Sequence, residues 1–151
     1  MDDAPILICY DGSPGARRAI TVAADLIPGL RAVVLDVGQV LTVAESYAAL
    51  GPTVWDFEEY NAEQALAQAE AGAEYARRAG FRADARAGVA APTWEGVVDV
   101  ANEIHAAVIV VGSRGLRGAR ERLEGSVSHQ IAEHAGRPVL IVPPPAREAA
   151  S

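Results

Sequence analysis

The run Ala106-Ala107-Val108-Ile109-Val110-Val111 has no polar position. A strand with one wet face would alternate apolar and polar residues. An unbroken, β-branched run instead reads as a strand covered on both faces, the environment of a parallel sheet. Pro5-Ile6-Leu7-Ile8-Cys9-Tyr10 is apolar throughout in the same way and reads as a central strand. Arg31 to Val37 and Pro138 to Val142 supply two more strands. Phe81 to Gly88 differs: Arg82, Asp84 and Arg86 alternate with small residues, the pattern of an exposed edge strand.

Between these strands the apolar period changes from 2 to 3.6. Ala16, Ala19, Ile20, Ala23, Ala24 and Ile27 recur at helical spacing after Asp11-Gly12-Ser13-Pro14. Ser13 is placed to cap that helix and Pro14 to open it, and Pro28-Gly29 stops it. An Ala- and Glu-rich helix is expected from Phe57 to Arg78, ending before Gly80. A third runs from Pro92 to His105, with Val97, Val98, Ala101 and Ile104 inward, and a fourth carries Val127, Ile131 and Ala135. Five strands alternating with helices imply an α/β fold: one domain, a doubly wound parallel five-stranded sheet with helices on both faces. The domain is expected over 1–144 and a disordered tail over 145–151, after Pro143-Pro144-Pro145. The stretch from Gly38 to Asp56 is longer than an ordinary connection, as functional lids often are, with Trp55 and Phe57 pinning it.

Composition narrows the function. Half of the residues are hydrophobic but only 5% are aromatic, so the core is built from Val, Ile, Leu and Ala. A net charge of −7 argues against general nucleic-acid binding. Every basic residue is arginine. Without lysine there is no Schiff-base chemistry and no Walker-type phosphate loop. A single cysteine, Cys9, excludes an internal disulfide and fits a reducing compartment. With no apolar run long enough to span a bilayer and an acidic N-terminus unlike a signal peptide, the expectation is a soluble, cytoplasmic protein without membrane partners.

The chemistry centres on the end of the fourth strand. Gly112 closes the run, Gly115 follows, and Gly125-Ser126 opens the last helix. Glycines let a backbone approach a phosphate closely, and a helix start offers unpaired N–H groups and a partial positive charge. Ser126 can cap that helix or donate to a phosphate oxygen, and Arg114 lies inside the glycine pattern. Arg117, Arg120 and Arg122 stand equally as phosphate contacts or solvated side chains. Asp11 follows the first strand and is equally an Asx-turn residue or a ligand contact. His105, His129 and His134 do not have the spacing of a metal-ligand set, Trp94 reads as packing, and Cys9 reads as a small buried hydrophobe.

The pattern Gly-x2-Gly-x9-Gly-Ser over Gly112, Gly115, Gly125 and Ser126 resembles the nucleotide-binding signature of the universal stress protein family. The first strand with Asp11-Gly12-Ser13, and the closing Pro138-Val139-Leu140-Ile141-Val142, are similar to that family as well. The resemblance implies strand order 3-2-1-4-5, so the first and fourth strands flank a crevice where the order reverses. Asp11 then faces Gly112, near the adenosine part of a bound nucleotide, and the backbone N–H and C=O of Val37 read the adenine edge. The implied binding set is Cys9, Asp11, Val37, Val111, Gly112, Arg114, Gly115, Gly125, Ser126, Val127 and Ser128, holding ATP, ADP or AMP with or without Mg2+. Glu124 departs from the apolar residue common before the second Gly-Ser; it disfavours a triphosphate unless it points to solvent, pairs with arginine or helps hold a cation. The resemblance also implies a homodimer through the 138–142 edge strand and a nucleotide-dependent regulatory interaction with a partner protein. Two alternatives stay open: slow ATP hydrolysis, with Glu121 and Glu124 as general-base candidates by position alone, and a structural interaction dimer that binds no nucleotide.

Overall fold

The computed structural model describes residues 3–37, 57–88, 93–113 and 127–145. In chain order the elements are β1 Ile6–Tyr10, α1 Pro14–Leu26, β2 Arg31–Asp36, α2 Phe57–Ala79 and β3 Arg82–Ala87, then α3 Thr93–Glu103, β4 Val108–Gly112, α4 Val127–His134 and β5 Val139–Val142. The strands form one sheet in the order β3-β2-β1-β4-β5, every neighbouring pair parallel. This is the order expected from the resemblance. The expected lid over Gly38 to Asp56 lies outside the described residues, as does the tail from 146 onward.

The all-apolar runs are explained by the two layers of helices. Successive side chains of a strand point to opposite faces. Ile6, Ile8 and Tyr10 of β1 join a core with Ala16, Ile20 and Ala23 of α1 and Ala73 and Ala76 of α2. Leu7 and Cys9, one residue out of phase, join a second core with Val97 and Ala101 of α3 and Ile131 of α4. β4 divides likewise, Val110 to the first core and Ile109 and Val111 to the second. All of β1 and β4 is buried except the partly buried Val108, which is why both runs are almost wholly apolar. β3 lies at the edge, with Arg82 and Asp84 exposed and Ala83 buried.

Where α2 meets the sheet, small residues on the helix bring the two layers close. Ala69, Ala73 and Ala76 of α2 have no exposed surface. Gly72 takes this furthest: a Cβ there would lie 2.7 Å from ring atoms of Tyr10 and 2.8 Å from Cγ1 of Val34. A glycine inside a helix costs about 1 kcal/mol relative to alanine. Here the missing methyl is what lets α2 rest on the tip of β1.

The helix ends follow their caps. Ser13 Oγ accepts the Ala16 amide at 3.1 Å, and Pro14 opens α1, as its sequence predicts. After α2 the Gly80 and Phe81 amides donate back to Arg77 and Ala76, both at 3.0 Å, the paired bonds of a Schellman motif. The third helix is shorter than its periodicity suggests. It closes at Glu103, and His105 takes the left-handed conformation with φ 54° while Ala106 N–H donates to Ala101 O at 2.9 Å. That is the same motif with a histidine where glycine is usual. Arg137 locks this end: Nη1 donates to the carbonyls of Ala101 (2.7 Å) and Ala106 (2.9 Å), Nη2 to Asn102 Oδ1 (2.5 Å) and Nε to Ala135 O (3.2 Å).

Candidate functional site at the strand-order reversal

The chain leaves β1 toward α1 and β2 on one side, and β4 lies on the other. The order of the sheet therefore reverses between β1 and β4, and open parallel sheets bind ligands beyond the strand ends at such a point. Two of the marked motifs meet there. A Cβ on Gly112, the last residue of β4, would come 3.1 Å from the carbonyl oxygen of Gly15 in the first turn of α1. The tip of β4 thus abuts the helix that grows out of the Asp11 turn. Gly112 has a packing role here in addition to any contact with a ligand.

Asp11 forms the Asx turn that its position allows: Oδ1 accepts the Ser13 amide at 3.0 Å. Gly12 turns the chain with φ +81°. Arg17 Nη1 donates to the Gly12 carbonyl at 2.9 Å, and Gln68 Nε2 reaches from α2 to the Asp11 carbonyl at 3.2 Å. The turn is therefore rigid, and its carboxylate stays partly exposed with one oxygen engaged. The start of α1 is also largely self-satisfied. The amides of Ser13 and Ala16 are taken by Asp11 and Ser13 side chains, and Pro14 has none. Two amide donors at the start of α1 are thus already engaged by side chains of the turn.

Cys9 and Val111 have no exposed surface. Both lie inside the second core, so neither side chain is exposed for the ligand contact expected of it. Burial, with a smaller contribution from the Asp11 carboxylate, pushes the Cys9 thiol up to about 12. It is a protonated hydrophobe at neutral pH and not a nucleophile. Val37 needs a correction. Its N–H donates to Tyr10 O at 3.0 Å, because the β1–β2 ladder runs one residue past β2. Of the two backbone groups expected at an adenine edge, the N–H is spent within the sheet. Val127 packs against the same apolar cluster as Cys9 and Val111, and Ser128 beside it is buried. Arg114, Gly115, Gly125 and Ser126, with Glu121 and Glu124, lie outside the described residues.

Trp94 and two of the histidines sit on α3 and α4. Trp94 stacks on His134 with ring centroids 4.4 Å apart, tying α3 to α4. His129 lies 3.9 Å from Glu133 on the exposed side of α4. Among the described residues no three His, Cys, Asp or Glu side chains are grouped to hold a metal. Nor is any described helix long and apolar enough to cross a membrane. Gln68, Arg17, Gly72 and Arg137 carry no motif. Only Gly72 had a signal, a glycine interrupting an alanine-rich helix.

An open, all-parallel five-stranded sheet whose strand order reverses between β1 and β4, with helices on both faces, defines the class: a doubly wound α/β protein. The chain belongs to the universal stress protein family, whose model matches residues 4–143. It is similar to universal stress protein YxiE of Bacillus subtilis (strain 168), 32% identical over 146 residues, 91% of this chain and 97% of the relative. Solved structures share the fold. Hypothetical protein MJ0577, a test case for assigning biochemical function from structure, superposes with a TM-score of 0.71 at 22% identity, covering 97% of this chain and 100% of that one. A universal stress protein in complex with cAMP superposes at 0.62 with 24% identity, covering 94% of this chain and 98% of that one.

Proposed function

We propose that the protein binds an adenine nucleotide in the crevice between β1 and β4, and that occupancy regulates its association with other proteins. The observation that carries this reading is the packing of Gly112, at the end of β4, against Gly15 in the first turn of α1, directly after the Asp11 turn, at the strand-order reversal. Family membership supports it, as does the cAMP bound by a protein of the same fold. In this reading Asp11 accepts from ribose or base, the Val37 carbonyl is the group left to meet the base, and the glycine loop after Gly112 with the start of α4 takes the phosphates. Mg2+ would accompany a triphosphate rather than sit in a cage of its own.

The same reading includes a homodimer through β5. That strand pairs with β4 on one side, and Ile141 is 37% exposed at the sheet edge. An apolar edge strand is a template for another strand, and antiparallel pairing of two copies would cover it. Light scattering at micromolar concentration tests this; a monomer contradicts it. Thermal shift with ATP, ADP, AMP and cAMP tests nucleotide binding. A ligand that binds only the folded state raises stability with the logarithm of its concentration. The shift is expected for at least one nucleotide and is expected to vanish in Gly115→Ala and Gly125→Leu. Absence of any shift, with ligand in large excess, contradicts the proposal.

A further inference from the structure

Gln68 is the long-range anchor of the Asp11 turn. Its Nε2 donates to the Asp11 carbonyl across 57 residues of chain, at 3.2 Å. The same nitrogen would lie 2.7 Å from a Cβ on Gly12, so the amide sits directly on the turn. Arg17 holds the next carbonyl at 2.9 Å, from within α1 itself. Two consecutive carbonyls are thus held by side chains of two helices, while the Asp11 carboxylate is held from the other side by the Ser13 amide.

The placement of Gln68 on α2 gives that contact leverage. One turn further along, Gly72 brings the helix against Tyr10 and Val34, a contact with no slack. Gln68 therefore reaches the turn from a fixed point.

We infer that Gln68 is a positioning residue for the nucleotide site: it holds the Asp11 turn in its binding geometry and acts on ligand affinity through Asp11. This rests on the reading of the crevice as an adenine-nucleotide site. The experiment is calorimetric titration of ATP, or of whichever adenine nucleotide gives the largest thermal shift, into four proteins: wild type, Gln68→Met, Asp11→Asn and the double variant. Methionine keeps length and helix propensity but has no donor, and asparagine keeps the Asx turn while removing the charge. Loss of one hydrogen bond should weaken binding about three- to tenfold in Gln68→Met. In the Asp11→Asn background the same change should cost less than about twofold, because contacting residues that act together are not additive. Gln68→Glu, with the shape of glutamine and no N–H, should weaken binding at least as much and serves if the methionine variant folds poorly. Glu63→Ala, on the exposed side of α2, should bind as wild type. Wild-type affinity in both Gln68 variants, or an equal loss with and without the Asp11 charge, overturns the positioning role alone. A wild type that binds no adenine nucleotide overturns the site reading, and this inference with it.

Discussion

Replacing Gly72 with alanine puts two rules of stability in direct opposition. In an exposed mid-helix position the change should stabilise by about 1 kcal/mol, because alanine is the better helix former. At Gly72 the new methyl would stand 2.7 Å from Cδ2 and Cγ of Tyr10 and 2.8 Å from Cγ1 of Val34. Tyr10 is 4% exposed and Val34 not at all, so neither has open space to retreat into. Ordinary carbon contacts need about 3.5–4.0 Å, so helix and sheet must part by close to 1 Å or the Tyr10 ring must leave its rotamer. Overpacking of this kind costs roughly 1–3 kcal/mol. Set against the propensity gain, Gly72→Ala should destabilise by about 1 kcal/mol, lowering Tm by roughly 2–4 °C in a chain of this size. Urea unfolding followed by far-UV circular dichroism measures the difference. Ala71→Gly, one residue away on the exposed side, measures the propensity effect in place and should cost about 1 kcal/mol. An alanine variant more stable than wild type would refute the close approach of α2 to β1.

Arg137→Met should cost about 2–3 kcal/mol, a Tm drop of roughly 5–10 °C, because it frees three carbonyls and Asn102 from a charged donor. Calorimetry checks this, and a loss below about 0.5 kcal/mol contradicts it. His105→Gly should stabilise by up to about 1 kcal/mol by removing a Cβ from a left-handed position, net of the entropy glycine gains when unfolded; a destabilised variant would mean that the imidazole has its own role. Cys9 gives a pH dependence. Its thiol ionises near 9.0 when free but only at about 12 when buried, so the unfolded state loses its proton first as pH rises. Cys9 therefore costs no stability below pH 9. Between about 9 and 12 stability should fall by about 1.4 kcal/mol per pH unit more in wild type than in Cys9→Ala; equal slopes contradict the burial.

The two central strands could be read directly, because a strand covered on both faces has no polar position to disguise it. The helix faces followed from alanine spacing, and the edge position of β3 from its alternating charges. Strand order came from the family resemblance, since nothing in β1 or β4 alone says which neighbours it takes. At the site, the Asp11 turn and the glycine end of β4 were each legible because each closes a buried strand, whereas the packing of Gly112 against Gly15 was not. Nor was the anchoring of the Asp11 turn. Gln68 is one of many polar residues on an alanine-rich helix, and its value depends on a contact across 57 residues that no local pattern encodes. Val37 shows the complementary failure: a backbone N–H leaves no trace in a sequence, and whether it meets a ligand or the neighbouring strand is decided by register. Arg137 was hidden for a similar reason, as two of its partners are carbonyls at and just after the end of α3, more than thirty residues earlier in the chain. The end of α3 was misplaced because His105 takes a conformation that a histidine seldom adopts.

The most direct test of the adenine-nucleotide site is a titration of 15N-labelled protein with ATP and AMP, followed by amide chemical shifts. The largest changes should fall on Gly12, Ser13, Gly112, Ser113, Val127 and Ser128, around the end of the sheet where β1 and β4 diverge. The cavity of about 330 Å3 between α1 and α2, lined by Thr21, Asp25, Tyr75 and Arg78, should stay unchanged. Shifts confined to that cavity, or none at saturating nucleotide, would contradict the assignment of the crevice.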